Sequence, residues 1–573
     1  MSNFALKLDT EIKRMKKIFY DPILFSTFVF VVAILILFII MPMGNVLKES
    51  FTAHEYVKDA AGATQDVKTF SLVHYINIKN MPENFTIIFN TLKLGLVTSI
   101  ISTTIGFFFA YGMNYVLLPF KKFFSFIAIL PIVSPPFVIA LSAILLLGRS
   151  GYITRRLLGI RNANIYGFHG LVLVQVLTFF PEAYLMLVGL LGRIDPSVEE
   201  ASRDLGASRW DVFRTVTLPL MVPGIANAFL VIFIQAIADF SNPMVIGGEF
   251  TTAAVQIYIQ GTGNFDMGSA TALAIVLMLI SVSIFVTQKY YIGKKSYVTV
   301  TGKVSREREK IAEKHIVYPI FGTMVAITLC VFLMYIMIPI GSLVKLWGVN
   351  YSFSLDHYKY VLDLGMKPIM DTTFLSLLST PITGILAMII AFLIIRKQFF
   401  GKGFIEFTTM MSMAIPGTIV GLGYIITFNR KPLVLTGTAA ILIIAFVMRN
   451  MPVGIRSGMA ALQQIDPSIE EAATVLGANS KKVFTSVTLP MILPAFYSGL
   501  VYAFVRSMTL VSTVIFLISA RYNLLTPAVM SQIDVGKIGV AAAYCTILIL
   551  IVFVVIGIMS SVLKRMGVEE IRE

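Results

Sequence analysis

Charged residues are scarce in this sequence, at 13% of its 573 residues, and 57% of the residues are hydrophobic. Soluble domains carry about 25% charged and about 45–50% apolar residues, so a soluble core cannot absorb this excess. The apolar residues form long runs, such as residues 23–43 and 538–559, and about 20 such residues cross a bilayer as a helix. Barrel strands would alternate in polarity instead. The sequence therefore predicts an all-α membrane protein.

Cysteine and histidine are also rare. The two cysteines, Cys330 and Cys545, lie inside predicted spans and are expected to be buried packing residues, without a disulfide or metal framework. No histidine has metal-ligand spacing to a second ligand. The histidines are His54, His74, His169, His315 and His357. The spans show no converging His, Asp and Glu side chains, so we predict no metal site, no catalytic residue and no enzyme.

A phosphate-binding loop is missing as well, because no GxxxxGK[ST] segment occurs. The nearest likeness, Gly293-Lys294-Lys295-Ser296, lacks the first glycine and the spacing. We therefore expect no cofactor in this chain. If ATP drives its function, ATP and Mg²⁺ are bound by another subunit.

Twelve apolar runs are predicted to span the bilayer, in two sets of six. The first set is 23–43, 87–115, 123–147, 170–191, 225–246 and 270–290. The second set is 317–343, 372–395, 405–427, 437–459, 496–518 and 538–563. A basic, polar stretch at 293–315 separates them. We predict a first membrane domain at 1–292, a cytoplasmic linker at 293–315 and a second membrane domain at 316–573.

The formal net charge of +15 reflects basic residues that flank the apolar runs, so nucleic-acid binding is not expected. Positive residues hold loops in the cytoplasm, which predicts cytoplasmic N- and C-termini and a cytoplasmic linker. One loop opposes this orientation, since Arg149, Arg155, Arg156 and Arg161 fall on the outer side. That loop could dip back into the protein or meet an anionic surface on a partner.

An internal repeat connects the two sets of spans. Residues 194–224 match residues 465–495 without a gap, with 466 − 195 = 271 for the Asp-Pro pair and 490 − 219 = 271 for the Leu-Pro proline. A weaker upstream match pairs Arg149 with Arg430, and 430 − 149 = 281. The first half therefore has ten extra residues in its arginine-rich loop. Six spans in each half preserve orientation, so the halves are parallel duplicates.

The repeated segment is predicted to be a polar helix-turn-helix on the cytoplasmic side. Asp195 and Asp466 are suited to cap a short helix, each with proline next, and Gly206 and Gly477 are suited to end it. Ser208, and its counterpart Asn479, can cap a second helix. The alternative is that these are amphipathic helices that only connect the cytoplasmic ends of the spans. A solvated loop that matches its copy better than the spans do favours a functional role instead.

The same segment resembles the EAA loop of bacterial ABC importer permeases. The motif stands as Glu200-Ala201-Ser202 and as Glu471-Ala472-Ala473, each followed by a glycine and later by Leu-Pro. Ser202 departs from the alanine that the family prefers. The resemblance covers the whole chain and implies two tandem six-helix type I importer domains. It also implies that each loop seats in a groove of an ATPase subunit.

The resemblance further implies two ATP-binding cassette subunits, an extracytoplasmic substrate-binding protein and a location in the bacterial cytoplasmic membrane. The residues expected to couple the chain to the ATPase are Glu200, Ala201, Gly206, Glu471, Ala472 and Gly477. A secondary transporter of the major-facilitator kind also has six-plus-six halves and remains the alternative from another class. It needs no ATPase groove, so the paired loops count against it.

Polar residues within spans are costly and are candidates for a translocation pathway. Gln235, Asp239 and Asn242 have the spacing of one face of the fifth predicted helix, and Arg506 falls on Gln235 by the 271 offset. Arg506, Thr509 and Thr513 again share a predicted face. The alternative is an interhelical contact that only fixes packing. Arg449 and Asn450 are weaker candidates of the same kind.

Three segments resemble the fused permeases of the ferric-iron importer group. They are ADFSNPMVIGGEF from Ala238, VTVTGK from Val298 and RSMTLVSTVIFLIS from Arg506. This likeness implies ferric iron as the substrate. The importers of 2-aminoethylphosphonate, polyamines and thiamine share much of the pattern, so those substrates stay open.

Overall fold

The structure, a computed structural model, describes residues 22–58, 64–292, 308–399 and 401–565. Most of the predicted linker, at 293–307, lies outside the described residues. Two small antiparallel sheets pair β1 (Thr52–Lys58) with β2 (Thr64–Phe70) and β3 (Val344–Leu346) with β4 (Asn350–Phe353). The remaining elements are helices, and the all-α prediction is confirmed.

The helices are α1 (Pro22–Ser50), α2 (Val73–Asn80), α3 (Pro82–Tyr115), α4 (Lys121–Val133), α5 (Phe137–Leu147), α6 (Phe168–Gly192), α7 (Pro196–Asp204), α8 (Arg209–Ala238), α9 (Ser241–Ile246), α10 (Ala253–Tyr258), α11 (Met267–Ile292), α12 (Lys314–Leu343), α13 (Asp356–Leu364), α14 (Met366–Arg396), α15 (Lys402–Ala414), α16 (Gly417–Phe428), α17 (Ala439–Gln463), α18 (Pro467–Val475), α19 (Lys481–Met491), α20 (Leu493–Thr509), α21 (Leu525–Asp534) and α22 (Ile538–Arg565).

Within the described ranges, ten helices are long and apolar enough to cross a membrane, if α5 is counted together with the π-helical turn Tyr152–Leu157 that follows it as one helix, Phe137–Leu157. Two further pairs pass the same test as bent spans: α15 with α16, bent by 109°, and α19 with α20, bent by 78°. Counting each pair as one span gives twelve, the predicted number. The predicted span 123–147 is also divided, into α4 and α5, at Ser134-Pro135-Pro136, because proline cannot continue the helical hydrogen bonds.

The chain forms two compact units that do not coincide with the sequence halves. Unit 1 contains the described residues of Met1–Phe70, Leu364–Ala528 and Ile547–Glu573, and unit 2 contains those of Ser71–Asp363 and Val529–Thr546. The first span of each half thus belongs to the unit built mainly from the other half. The domain boundaries expected from the sequence stay a prediction.

In unit 1, the first span α1 packs against α16. The Asn45 amide donates to the Thr427 hydroxyl at 3.0 Å, and the Tyr424 hydroxyl donates to the Phe38 carbonyl at 3.0 Å. Close approach depends on Gly423, because a Cβ there would lie 3.0 Å from the Met43 methyl. That Cβ would also lie 3.2 Å from the Pro42 carbonyl oxygen, so a side chain at position 423 would crowd α1.

In unit 2, α12 packs against α5 in the same manner. The Ser142 hydroxyl donates to the Met334 carbonyl at 2.5 Å, and the Ser134 and Tyr335 hydroxyls are hydrogen-bonded. Helices α5 and α16 are repeat equivalents, since 147 + 281 = 428 at their last residues. The duplication therefore extends to tertiary packing: each half lends its first span to the equivalent helix of the other.

Small residues hold the central helices of each unit together. In unit 2, a Cβ on Gly106 of α3 would lie 2.5 Å from the Ala183 Cβ of α6. In unit 1, a Cβ on Gly454 of α17 would lie 2.9 Å from the Ala387 Cβ of α14. Apolar side chains gain little by leaving lipid for another helix, so such close backbone contact is how helices associate in a membrane.

Candidate functional site

The repeated segments fold as two helical hairpins, hairpin 1 (residues 195–217) and hairpin 2 (residues 466–488). Asp195 caps α7 by accepting from the Ser197 N–H at 3.0 Å, and Asp466 caps α18 by accepting from the Ser468 N–H at 2.9 Å. The donated N–H holds the pKa of Asp466 below its ordinary range. These are the caps that the sequence predicts.

The turn of each hairpin is made by a glycine in the left-handed region. Gly206 has φ +92° and Gly477 has φ +86°, values that other residues rarely adopt. Beside these glycines, the side chains of Leu205 and Leu476 are 91% and 87% exposed. Each hairpin therefore presents an exposed leucine at its tip.

The second helix of each hairpin is capped as predicted. Ser208 accepts from the Asp211 N–H at 3.2 Å, and the Asp211 carboxylate accepts from the Ser208 N–H, which is a capping box. Asn479 accepts from the Lys482 N–H at 2.9 Å. A π-helical turn follows in both copies, at Phe213–Thr217 and Phe484–Thr488, before the helix enters the apolar region.

A buried carboxylate holds the base of hairpin 1. Glu199 accepts from the Thr217 hydroxyl at 2.7 Å, from the Tyr115 hydroxyl at 2.6 Å and from the Arg308 Nε at 3.2 Å. The Glu199 and Arg308 side chains are each about 10% exposed. Removing one partner of such a buried ion pair strongly destabilises the folded protein, because the other charge stays buried without compensation.

Hairpin 2 has the equivalent lock at its base. Glu470 accepts from the Thr488 hydroxyl at 2.9 Å and from the Arg396 Nε at 3.0 Å. The Arg396 Nη2 also donates to the Ile465 carbonyl at 2.9 Å. Sequence analysis missed both locks, although the doubled Glu-Glu pair and the repeated threonine 18 residues after its first glutamate were visible signals.

The predicted coupling residues lie on the outer surface of the hairpins. Ala201, Ala472 and Glu471 are exposed and Glu200 is half-buried. In each Glu-Glu pair, the first glutamate is held in a buried ion pair; of the second glutamates, Glu471 is exposed and Glu200 is half-buried. We call these second glutamates, the alanines and the exposed leucines the outer surface of each hairpin. Contact of this surface with an ATPase stays a prediction.

The prediction that Gln235, Asp239 and Asn242 share one face of a continuous fifth helix is wrong. Helix α8 ends at Ala238, and a new short helix, α9, begins at Ser241. Asp239 lies in the break, where its carboxylate accepts from the N–H groups of Ser241 at 3.0 Å and Asn242 at 3.3 Å. Periodicity missed this break because apolar residues continue on both sides of it.

Asp239 is 8% exposed and is surrounded by amides. The Gln175 Nε2 and the Asn242 Nδ2 each donate to its Oδ2 at 2.9 Å, and Gln175 in turn accepts from the Thr98 hydroxyl at 3.0 Å. Gln235 hydrogen-bonds Glu182, which lies seven residues after Gln175 on α6. The structure therefore supports the packing interpretation of Asp239, and its place in a pathway stays a prediction.

The fifth span of the second half breaks at the equivalent position. Helix α20 ends at Thr509, and 238 + 271 = 509. Arg506 lies in the last turn of α20, half-buried and 5.7 Å from the Tyr502 ring centroid, and the Thr509 hydroxyl donates to the Val505 carbonyl. Thr513 lies beyond the break, so these residues do not share one helical face as predicted.

The two weaker pathway candidates make structural contacts in unit 1. Arg449 donates to the carbonyls of Ser412 at 2.5 Å and Ile415 at 2.8 Å, at the sharp bend between α15 and α16. Asn450 donates to the Ser507 hydroxyl at 2.9 Å. Among the residues that the structure describes, no group of three His, Cys, Asp or Glu side chains converges as metal ligands.

A family model decides what these duplicated hairpins and spans belong to. The model described as "Binding-protein-dependent transport system inner membrane component" matches residues 102–296 and 383–568. The chain belongs to this family. Each match contains one hairpin, so the tandem duplication and the ABC permease resemblance are confirmed.

Curated relatives of this binding-protein-dependent permease cover most of its length. The ferric transport system permease protein FbpB of Actinobacillus pleuropneumoniae is 38% identical over 501 residues, 86% of this chain and 73% of that protein. The Fe(3+)-transport system permease protein FbpB 2 of Haemophilus influenzae is 23% identical, over 84% of this chain and 90% of that protein. The molybdenum transport system permease protein ModB of Escherichia coli is 31% identical, over 35% of this chain and 89% of that protein.

Family membership establishes several points about the permease. It is a multi-pass inner membrane protein and the translocation subunit of an ABC importer, and it is not an enzyme. Its partners are an ABC ATPase and a substrate-binding protein. The major-facilitator alternative is therefore set aside.

Replacing Asp239 with alanine is expected to destabilise the permease, because it removes the acceptor for two buried backbone N–H groups and two side-chain amides. Each buried donor left unsatisfied costs about 1–3 kcal/mol. The measurement is thermal unfolding in detergent, with a lower Tm expected, together with reduced transport and retained ATPase docking.

Asp266→Ala is the matched control, because Asp266 also caps a helix, by accepting from the Ser269 N–H at 3.0 Å, but on an exposed site. Loss of an exposed cap costs about 0.5–2 kcal/mol. An Asp239→Ala variant as stable as Asp266→Ala would contradict the buried capping role.

Proposed function

We propose that this permease imports ferric iron, delivered by an extracytoplasmic binding protein and driven by two copies of an ABC ATPase that bind ATP and Mg²⁺. The support is the ferric transport relative at 38% identity over 86% of this chain, together with the iron-group motifs in both halves. The described residues hold no cluster of metal-ligating side chains. In this proposal, selectivity therefore rests with the binding protein, and the permease supplies the gate.

Coupling to the ATPase is assigned to the outer surfaces of the two hairpins. The observation that carries this assignment is that, among the described residues, only the first glutamate of each Glu-Glu pair makes the buried ion pair. Glu199 and Glu470 fasten the hairpin to the helices below, whereas Glu471 is exposed and Glu200 is half-buried, each on a short helix that leads to an exposed leucine. Because the base of each hairpin is fastened to the membrane helices, a force on the hairpin is transmitted to them. The exposed surface of the hairpin is available to a groove of the ATPase. Movement of the ATPase would then pass into α6, α8, α17 and α20.

In our proposal, the hairpins lie in the cytoplasm, together with both chain termini, as the positive residues that flank the spans predict. In unit 2, α6 has 25 residues and separates hairpin 1 from the arginine-rich loop, a distance of about 37 Å at 1.5 Å per residue. The loop and the hairpin therefore lie on opposite sides of a bilayer. Since an ATPase is reached from the cytoplasm, the arginine-rich loop faces outward.

This outward arginine-rich loop, residues 149–161, is a candidate docking surface for the binding protein. Arg155, Arg156 and Arg161 are exposed, and the Arg156 guanidinium carbon also lies 4.8 Å from the Tyr351 ring centroid. A cavity of about 660 Å³ at the same end of unit 2 includes Lys345 and Lys537 in its wall, with one carboxylate, Asp356. A cationic surface attracts an acidic partner and repels a free trivalent cation, which favours delivery by a carrier protein.

The broken fifth spans are assigned to the translocation pathway. Non-helical backbone at membrane depth is tolerated where it lines a cavity or is buried in protein, and transporters use such breaks at their binding sites. Among the described residues, the Asn242 Oδ1 and the Thr513 Oγ1 are buried without a hydrogen-bond partner, and 242 + 271 = 513. Oxygen atoms of this kind suit a hard cation in transit.

An anionic substrate is the second candidate, because the outward cavity is lined by more cations than anions. Molybdate and 2-aminoethylphosphonate are the anions to compare, since ModB of Escherichia coli is a molybdenum transport permease with 31% identity over 35% of this chain. Polyamines and thiamine are cations and gain nothing from this surface.

Uptake by proteoliposomes tests the substrate. The permease is reconstituted with its ATPase and binding protein, and we expect accumulation of radioactive ferric iron that requires ATP and the binding protein. Accumulation of molybdate or 2-aminoethylphosphonate, with no iron, would contradict the assignment. The mass of the purified complex checks for two ATPase copies.

Replacing Glu200 and Glu471 together with lysine tests the coupling surface. We expect uptake to be abolished while membrane insertion and thermal stability are kept, because Glu471 is exposed and Glu200 is half-buried. The buried ion pairs at the hairpin bases are made by the first glutamate of each Glu-Glu pair instead. The measurement is uptake alongside capture of the ATPase on the purified permease. Glu83→Lys with Asp363→Lys is the matched control, since both carboxylates are exposed outside the hairpins. Normal uptake in the hairpin variant would rule out coupling there.

Replacing Arg155 and Arg161 together with glutamate tests the docking surface. We expect capture of the binding protein to weaken by at least about tenfold, because charge reversal opposes an acidic partner. ATPase capture should be unchanged. The same reversal at Lys79 and Lys359, which are exposed outside the loop, serves as control. Equal binding by both double variants would exclude the loop.

A further inference from the structure

The two hairpins receive their arginine from different parts of the chain. Hairpin 2 is held by Arg396, the last residue of the long helix α14. The equivalent residue in the first half is Tyr115, the last residue of α3, since 115 + 281 = 396. Tyrosine cannot supply the positive charge, so the first half lacks this arginine at its own helix end.

Ring contacts in the two units support this equivalence independently. Tyr111 of α3 contacts Phe213 with ring centroids 5.6 Å apart, and Phe392 of α14 contacts Phe484 at 5.2 Å. The offsets are 392 − 111 = 281 and 484 − 213 = 271, the same values found from the sequence. Helices α3 and α14 therefore end at the same place beneath their hairpins.

Arg308, from the end of the linker, occupies the place of the missing arginine. Its Nε donates to Glu199 at 3.2 Å and its Nη2 donates to the Ile194 carbonyl at 2.9 Å. Arg396 makes the same two bonds, to Glu470 and to the Ile465 carbonyl, and 465 − 194 = 271. The two guanidinium groups thus bind equivalent atoms.

Tyr115 supports this replacement, because its ring centroid lies 4.0 Å from the Arg308 guanidinium carbon, within the range of a cation–π interaction. Arg308 also donates to the Leu191 carbonyl at 3.2 Å through Nη1. The Tyr115 ring and Arg308 therefore together replace the single arginine, Arg396, of the second half.

The linker residues after Arg308 are fastened to the same region. The Ile311 N–H donates to the Tyr115 carbonyl at 2.8 Å, and the Ile311 carbonyl accepts from the Leu117 N–H at 3.0 Å. Ion pairs join Glu309 to Arg203 at 3.0 Å and Glu313 to Arg209 at 2.8 Å. Residues 308–313 thus form a strap along hairpin 1, which we call the linker strap.

We infer that Arg308 is a positioning residue for hairpin 1, and that the linker strap fixes this hairpin in the orientation that hairpin 2 takes from its own helix. The inference rests on the proposed coupling role of the hairpins. Its consequence is asymmetry: the orientation of hairpin 1 depends on the linker, and that of hairpin 2 does not.

The test places a spin label at one hairpin at a time in the full-length permease, with the two native cysteines replaced by serine. Ser202→Cys and Ala473→Cys are matched label sites, because 202 + 271 = 473. In Arg308→Ala we expect the mobility of the label to increase at position 202 and to stay unchanged at position 473. In Arg396→Ala we expect the reverse.

Rescue separates positioning from a general loss of stability. Arg308→Ala combined with Tyr115→Arg moves the arginine to the place it has in the second half, and we expect label mobility at 202 to return to that of the parent protein. Arg308→Lys should not restore it, because an ammonium group cannot make the three directed bonds of the guanidinium. Unchanged mobility at 202 in Arg308→Ala, or failed rescue by Tyr115→Arg, would overturn the inference.

Uptake measured on the same variants keeps the two proposals distinguishable. We expect Arg308→Ala to lose roughly tenfold or more of its uptake per ATP hydrolysed, since one partner of a buried ion pair is removed, and Tyr115→Arg to restore it. If mobility changes while uptake does not, the strap positions the hairpin and the coupling proposal fails. If neither changes, the positioning inference fails.

Discussion

The buried pairing of a glutamate with an arginine, Glu199 with Arg308 and Glu470 with Arg396, governs how each hairpin sits on the membrane helices. Both partners of each pair are about 90% removed from solvent, so separating them would leave a charge without compensation. A hairpin fastened in this way cannot swing freely on its short connections. It is expected to move with the helices beneath it, as the proposed coupling to an ATPase requires.

The buried glutamate requires a guanidinium group at a fixed position. It does not require that the arginine come from a particular part of the chain. The second half supplies it from a helix end, and the first half supplies it from the linker, with a tyrosine at the vacated helix position. Duplicated halves can therefore diverge in sequence while equivalent atoms keep equivalent partners. In the first half this guanidinium comes from the linker, whose residues Arg308, Glu309 and Glu313 contact hairpin 1.

The lipid environment imposes a second constraint, because backbone groups there must find partners inside the protein. Both fifth spans break at the same repeat position, after Ala238 and after Thr509. In the first half, Asp239 accepts from the freed N–H groups. In the second half, the Leu510 carbonyl accepts from the Thr526 hydroxyl at 2.8 Å. The two halves thus satisfy different backbone groups at the same break: two N–H groups in the first half and a carbonyl in the second.

The sequence by itself determined the features that depend on neighbouring residues. The number of spans follows from runs of apolar residues, and the caps and turns of the hairpins follow from Asp195, Gly206 and their repeats. Tertiary structure alone decided which first span packs in which unit, that Asp239 is enclosed by amides, and that Arg308 reaches a glutamate 109 residues away. The physical reason is that local propensity and hydropathy report on a few adjacent residues, whereas ion pairs and helix contacts depend on positions that only the folded chain brings together.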